Sequence, residues 1–379
     1  VKRRRPAGDG LVRQRTDGRW EGAIDHGYRD GRRFRQHVYA KTQAELLEKM
    51  AAARCQKREG AMPAVGGMRT LARFLREWLA NTKPTLRIRS YERYAGVVAN
   101  HLAPPPFGST KIDRLTPQHV QSLLDAKRAA GLAPRSIAAI RMILGRALGQ
   151  AVRWQMLTRN VASLVQAPKA PHAEMKVWAP EQVRVFLSAC EGEPLEALYW
   201  LALSTGMRRG ELLGLKWDDI AFDTGRLSVQ RSIGRAKGGL VIDAPKTARG
   251  RRQVKLIGPA IAALRAHKAR QAEIRLREGP EWRDGGFVFT TSIGTVIDPR
   301  NLDDDYRRMV ARAGLPMIRF HDLRHSAATT ALLQNIHPKI VAEMLGHSRV
   351  SVTLDLYSHV LPDMQDEAAM KIEAALTRK

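Results

Sequence analysis

Two short stretches break this chain into three segments, and each segment has its own hydrophobic rhythm. The first break is Gly60-Ala61-Met62-Pro63-Ala64-Val65-Gly66-Gly67, without charge or periodicity; the second is Val165-Gln166-Ala167-Pro168-Lys169-Ala170-Pro171. Gly and Pro punctuate both, so both read as linkers. A chain of 379 residues is long enough for two or three domains with their own cores. The expected modules are therefore 1–60, 68–168 and 173–379.

Segment 1–60 alternates. Leu11 to Arg15, Trp20 to Ile24 and Phe34 to Tyr39 read as strands. Thr16-Asp17-Gly18-Arg19 and Arg29-Asp30-Gly31-Arg32 supply the turns. Thr42 and Glu45 then form the capping box of a helix running to about Arg58. Segment 68–168 switches to the helical period. Leu71, Phe74, Leu75, Trp78 and Leu79 share one face behind the cap Thr70. Further helices are expected over Ser90 to His101, from Thr116-Pro117 and from Ser136. The third segment is mostly helical from Pro180. It carries a strand-rich insert at Arg226 to Leu256, expected as a three-stranded antiparallel unit, and ends in an amphipathic helix over Pro362 to Leu376. The fold class expected is mainly α and multidomain: a three-stranded sheet plus helix, a four-helix domain, and a mostly α domain with a small antiparallel sheet.

Charge narrows the partner. The formal net charge is +27, which calls for a polyanion, nucleic acid being the commonest, although a ribosomal-type basic protein fits the number equally well. Distribution says more. Residues 68–170 hold 17 basic groups against 4 acidic ones, whereas residues 171–379 hold 31 against 25. The middle segment should lie along phosphates. No apolar run reaches about 18 residues, so neither a membrane span nor membrane association is expected. The basic start Val1-Lys2-Arg3-Arg4-Arg5 has no apolar region after it, so no secretory signal is expected. Cys55 and Cys190 stand far apart outside any CxxC pair, which points to a reduced, cytoplasmic protein.

The third segment also holds an ordered series of polar groups. Thr205-Gly206-Met207-Arg208-Arg209-Gly210-Glu211 comes first and Pro245-Lys246-Thr247 second. Then follow His321-Asp322-Leu323-Arg324, Leu345-Gly346-His347 and, ten residues after His347, Tyr357. Breaking a phosphodiester with a tyrosine needs cations on the non-bridging oxygens, a base for the phenol and an acid for the departing oxygen. Arginine suits the first task, because its planar fork pairs two oxygens and keeps its charge. Arg208 falls where a helix start would favour phosphate, and His321 and Arg324, at i and i+3 of a helix start, project toward one side. His321 and His325 could suggest a zinc pair. The metalloprotease pattern has Glu where Asp322 stands, and Arg324 sets a cation beside any metal, so neither metal nor cofactor is expected.

The order of these motifs resembles the tyrosine recombinases, the phage-integrase family. The resemblance covers residues 68–379 through its motifs and extends to 1–60. It implies that Tyr357 is the nucleophile, that Arg208 and Arg324 clamp the phosphate, and that Glu211 orients Arg208. His321 would accept a proton or donate to the phosphate, and His347 would donate to a non-bridging oxygen. Lys246 would protonate the leaving 5′-oxygen, although Lys237 and Lys255 flank the same insert. Segment 1–60 resembles an arm-type DNA-binding domain and 68–168 a core-binding, SAM-like domain. The implied activity is site-specific recombination through a 3′-phosphotyrosine intermediate, integrating or excising a mobile element. The implied partners are double-stranded attachment sites, a homotetramer on DNA, a host DNA-bending protein and an excision directionality factor. The implied setting is the bacterial nucleoid. A type IB topoisomerase and a non-catalytic DNA-binding regulator are the alternatives.

Overall fold

The computed structural model describes residues 11–29, 32–58, 69–168, 175–244, 250–347 and 349–357, with isolated positions beyond; of residues 11, 26–29, 32–34, 56–58 and 355–357 only the backbone is described. The chain divides into two compact units, Val1–His172 and Ala173–Lys379. In the first unit β1 (Leu11–Gln14), β2 (Trp20–Arg29) and β3 (Arg32–Ala40) form an antiparallel sheet in chain order. Alternation sends Val12, Trp20, Ile24, Val38 and Ala40 to one side, where Leu46, Met50 and Ala53 of α1 (Gln43–Arg58) pack on them. Gly22 lies under Met50, where a Cβ would come within 2.3 Å of the sulfur. Thr42 Oγ1 accepts from the Glu45 amide as expected, but the Glu45 carboxylate accepts from the Lys41 amide rather than from that of Thr42. The second turn, at Asp30-Gly31, lies outside the described residues. Cys55 is exposed on α1.

A separate helical core follows. It comprises α2 (Leu71–Thr82), α3 (Ile88–Val97), α4 (Pro117–Ala129) and α5 (Pro134–Arg153). Thr70 caps α2 by accepting from the Arg73 amide, and Thr116 with His119 makes a reciprocal box at α4. Two boundaries differ from expectation. The second helix starts earlier, at Ile88, and passes into a wide π-type turn at Val98–Leu102. The fourth starts at Pro134, not Ser136: proline at the first position fixes φ and has no N–H to leave unpaired, so no side-chain cap is needed.

In the second unit α6 (Pro180–Ala189) leads to α7 (Glu196–Thr205), which is buried along almost its whole length. Such a helix is apolar all round and sits at the centre of its domain. It packs against α9 (Gly258–Glu278) and α11 (Asp322–Leu333). An aromatic group of Trp178, Phe186, Tyr199, Tyr306 and Phe320 fills the core beside it. Cys190 is fully buried there, and burial, followed by nearby Asp305, Glu193 and Glu196, pushes its thiol up to about 12. Helices α8 (Arg209–Leu213) and α10 (Pro299–Arg312) complete the shell. Toward the C-terminus lie α12 (Pro338–Leu345) and α13 (Val350–Tyr357).

The insert corrects the expected three-stranded unit. Strand β4 (Ile220–Ala221) precedes the insert and joins β5 (Arg226–Val229) and β8 (Arg252–Lys255) in one antiparallel sheet. The chain between β5 and β8 forms its own hairpin, β6 (Ser232–Ala236) with β7 (Gly239–Asp243). Pairing of β5 with β8 in the register Arg226↔Lys255 joins residues far apart in sequence, whereas the hairpin needs only a local two-residue turn at Lys237-Gly238. The expected terminal helix over Pro362 to Leu376 lies outside the described residues except at isolated positions. No helix among the described residues is long and apolar enough to cross a membrane.

Candidate functional site

Helix α7 stops at Gly206, whose φ of +61° is left-handed backbone that favours glycine. Thr205 holds this corner by donating to Leu201 O at 2.6 Å and accepting from the Met207 amide at 3.3 Å. Arg208 follows in extended backbone at the cap position of α8. Its amide and its Nη1 donate to the two oxygens of Glu211 at 3.0 and 2.8 Å. The Arg208 guanidinium keeps 41% of its surface, while Glu211 is buried. A second arginine shares that carboxylate: Arg252 of β8 donates from Nη2 to Glu211 at 3.0 Å. Burial would raise the Glu211 pKa, but the two guanidinium groups and the Arg208 amide outweigh it and hold the group below the usual carboxylate range.

Arg324 lies in the first turn of α11 and is buried. Its Nη1 donates to Gly206 O and its Nη2 to Leu345 O, each at 2.7 Å. These are the carbonyl ends of α7 and α12, where helix carbonyls lack partners inside the helix and carry partial negative charge. One guanidinium therefore joins the loop that presents Arg208 to the loop that presents His347. The contact is close: a Cβ on Gly206 would come within 2.4 Å of Leu345 Cδ2.

His321 caps α11 and keeps an exposed edge, its ring centroid 5.4 Å from that of His325 at near right angles. Desolvation of the ring, then the neighbouring charges of His325, Arg324 and Arg208, push its pKa down to about 4. His347 follows the left-handed Gly346 that ends α12, and its amide donates to Ala342 O at 2.9 Å. Its Nδ1 lies 2.8 Å from Oγ1 of Thr353, a buried residue of α13. Desolvation, then Arg324, Arg208, His325 and Arg252, bring this ring to about 4 as well. At neutral pH both imidazoles are uncharged, each with one nitrogen to donate and one to accept.

Four of the six expected site residues, Arg208, His321, Arg324 and His347, thus share one electrostatic neighbourhood. Tyr357 ends α13, ten residues after His347, and its side chain is not described. Lys246 lies outside the described residues. Two residues that the motifs did not single out belong to the same neighbourhood, Arg252 and Thr353. Arg252 carried a faint signal: in a strand it shares a face with the buried Val254, so the alternation turns a charge inward. Thr353 gave none. Among the described residues no group of three or more His, Cys, Asp or Glu side chains could hold a metal ion. The arrangement can hold an anion, and it offers neutral imidazoles beside it to move protons.

Comparison with known proteins shows an enzyme that breaks and rejoins DNA strands at specific sites. The chain belongs to the phage integrase family of tyrosine recombinases. The phage integrase family model matches residues 176–364, and the model for the phage integrase N-terminal SAM-like domain matches residues 70–127. A tyrosine recombinase XerC-like protein of Caldanaerobacter subterraneus subsp. tengcongensis is 30% identical, over 89% of this chain and 91% of that protein. The ICEBs1 integrase of Bacillus subtilis is 26% identical, over 96% of this chain and 100% of the other. The fold resembles that of the Tn1549 transposon integrase solved with a circular intermediate DNA, with TM-score 0.68, 19% identity, and coverage of 80% and 99% of the two chains. It also resembles a lambda integrase tetramer bound to a Holliday junction, with TM-score 0.54, 18% identity, and coverage of 92% and 97%.

Proposed function

We propose that this recombinase is the integrase of a phage or integrative element and that Tyr357 is its nucleophile. The phenol oxygen attacks the scissile phosphorus, a 3′-phosphotyrosyl ester forms and the 5′-oxygen leaves as a hydroxyl. A partner strand's 5′-hydroxyl reverses the step. The ester stores the bond energy, so the cycle runs without a cofactor. Arg208 and Arg324 hold the non-bridging oxygens and meet the charge that builds on them. His321, uncharged at neutral pH, accepts the phenol proton. His347, oriented through Nδ1 by Thr353, donates from Nε2 to a non-bridging oxygen. Lys246 protonates the leaving oxygen.

The observation that carries this reading is Arg324 bound at once to the carbonyl ends of α7 and α12. That bond set brings the first arginine motif and the histidine motif, about 140 residues apart in sequence, to one cation. Residue 357 sits four positions after Thr353 on α13, hence on the same helix face.

The three modules divide the work. Residues 173–379 carry the chemistry, 68–168 grip the core site and 1–60 grip accessory arm sites. Arg73, Arg76, Arg87, Arg89, Arg93 and Arg128 are all exposed on the helical module, in keeping with a phosphate-facing surface. Two DNA-binding modules on one chain raise affinity through effective concentration. The working assembly is a homotetramer on two duplexes in the bacterial nucleoid. A host DNA-bending protein and an excision directionality factor set its direction. The ICEBs1 and Tn1549 relatives are named as integrases of mobile elements, which supports this reading over a topoisomerase that relaxes DNA without site preference.

The test is a pool of nicked duplexes with randomised cores, incubated with wild-type chain and with Tyr357→Phe. Denaturant-resistant adducts should form only with the wild type, and sequencing them should return one site. Adducts with both proteins would remove Tyr357 as the nucleophile, and adducts without sequence preference would favour the topoisomerase.

A further inference from the structure

Arg252 is placed more tightly than Arg208. Its side chain retains 6% of its exposure. It donates from Nη2 to Glu211 at 3.0 Å, from Nε to Met344 O at 2.6 Å and from Nη1 to Gly250 O at 3.3 Å. Met344 lies in the last turn of α12, one residue before the carbonyl held by Arg324 and three before His347.

Charge counting shows what this does. Glu211 fixes Arg208 by accepting from both its amide and its guanidinium. A buried carboxylate paired with Arg208 alone would cancel that arginine's charge and face any incoming phosphate with a negative group. With Arg252 on the other oxygen, two guanidinium groups stand against one carboxylate, and Arg208 is both oriented and left with its charge unbalanced. The bond to Met344 O ties the same cation to the segment carrying His347.

We infer that Arg252 is a positioning residue for the phosphate clamp, holding Glu211 so that Arg208 meets the scissile phosphate with its positive charge uncancelled and fixing the end of α12 that presents His347. This rests on the reading of Arg208 as a phosphate clamp. Arg252 itself, buried behind Glu211, acts through Arg208 and not by touching DNA.

The experiment uses full-length chain and the duplex recovered by the adduct selection, made with an ordinary scissile phosphate and with a neutral methylphosphonate. Arg252→Gln should cleave the ordinary duplex about 10–100-fold more slowly than wild type, the range typical of residues that orient a reacting group's partner. On the methylphosphonate, which carries no charge for the clamp to neutralise, its rate relative to wild type should recover. Arg208→Gln should show the same dependence. Arg252→Lys, which keeps the cation, should lose less than Arg252→Gln. In the DNA-free chain, the proton NMR titration of His347, which faces Arg324, Arg208, His325 and Arg252, should move to higher pH in Arg252→Gln and stay in Arg252→Lys. Equal loss on both duplexes would make Arg252 a mere structural support and overturn the inference, as would no loss on either. A wild-type chain that forms no adduct would instead remove the underlying reading, and the inference with it.

Discussion

Two arginines with the same chemistry do different work here because their surroundings differ. Arg208 is half in solvent and held from behind by a carboxylate. Arg324 is buried, and its Nη1 and Nη2 donate to two backbone carbonyls that orient it. Burial acts first on the histidines, and the same cations act after it. His347 and His321 are pushed to about 4, whereas an unfolded histidine titrates near ~6.5. Between these values the unfolded chain binds protons that the folded chain refuses, so stability is full above about 6.5 and is lost as pH falls toward about 4. Urea midpoints should therefore agree at pH 7 to 8 and drop at pH 5, and His347→Asn should shrink that drop. An unchanged drop in His347→Asn would show that other groups carry it. Arg208, His321, Arg324 and His347, which the structure brings into one neighbourhood, could be picked out as candidates because each sits in a local pattern. Arg252 gave only the faint signal of a charge turned inward by strand alternation, because Glu211 and Met344 stand 41 and 92 residues away from it, and no local pattern reports a partner at that distance.

At the scale of elements, the site is built from helix ends. Helix α7 and helix α12 both finish on left-handed glycines, Gly206 at φ +61° and Gly346 at φ +67°. Both ends lend carbonyls to Arg324. A Gly206→Ala change meets two penalties at once: a left-handed alanine, and a methyl group aimed at Leu345 Cδ2. The backbone term alone costs about 1–3 kcal/mol. The urea midpoint of the full chain should fall by a corresponding amount, and strand cleavage should fall further than stability, because Arg324 loses its seat. Cleavage that merely tracks the folded fraction would show that the helix ends do not support the site. Starts such as Thr70 and Thr116-Pro117 were legible because capping is local chemistry. The insert was only half legible. Its strands announce themselves by composition, but the pairing of β5 with β8 rather than with β6 depends on the rest of the domain.

At the scale of the whole molecule, the first expected linker, 60–67, lies outside the described residues, while the second can be set against the division of the chain. The break near residue 170 coincides with the boundary between the two compact units at His172 and Ala173. The first unit holds two hydrophobic clusters, one under the sheet and one among the helices. The charge imbalance is largest in the helical segment, with 17 basic groups against 4 acidic ones over residues 68–170. The two cysteines have a practical consequence of a different kind. Maleimides react with thiolate, and Cys190 is sealed in the aromatic core and remains a thiol up to about 12, while Cys55 is exposed on α1. A native chain should therefore accept a single dye, at Cys55, with Cys190 reacting only after unfolding. Cys55→Ser should accept none, and dye taken up by that variant in the native state would contradict the burial of Cys190. A chain that carries its own single fluorescent tag turns an assembly question into a counting experiment. The bleaching steps of one glowing spot on a tethered duplex enumerate the subunits gathered there.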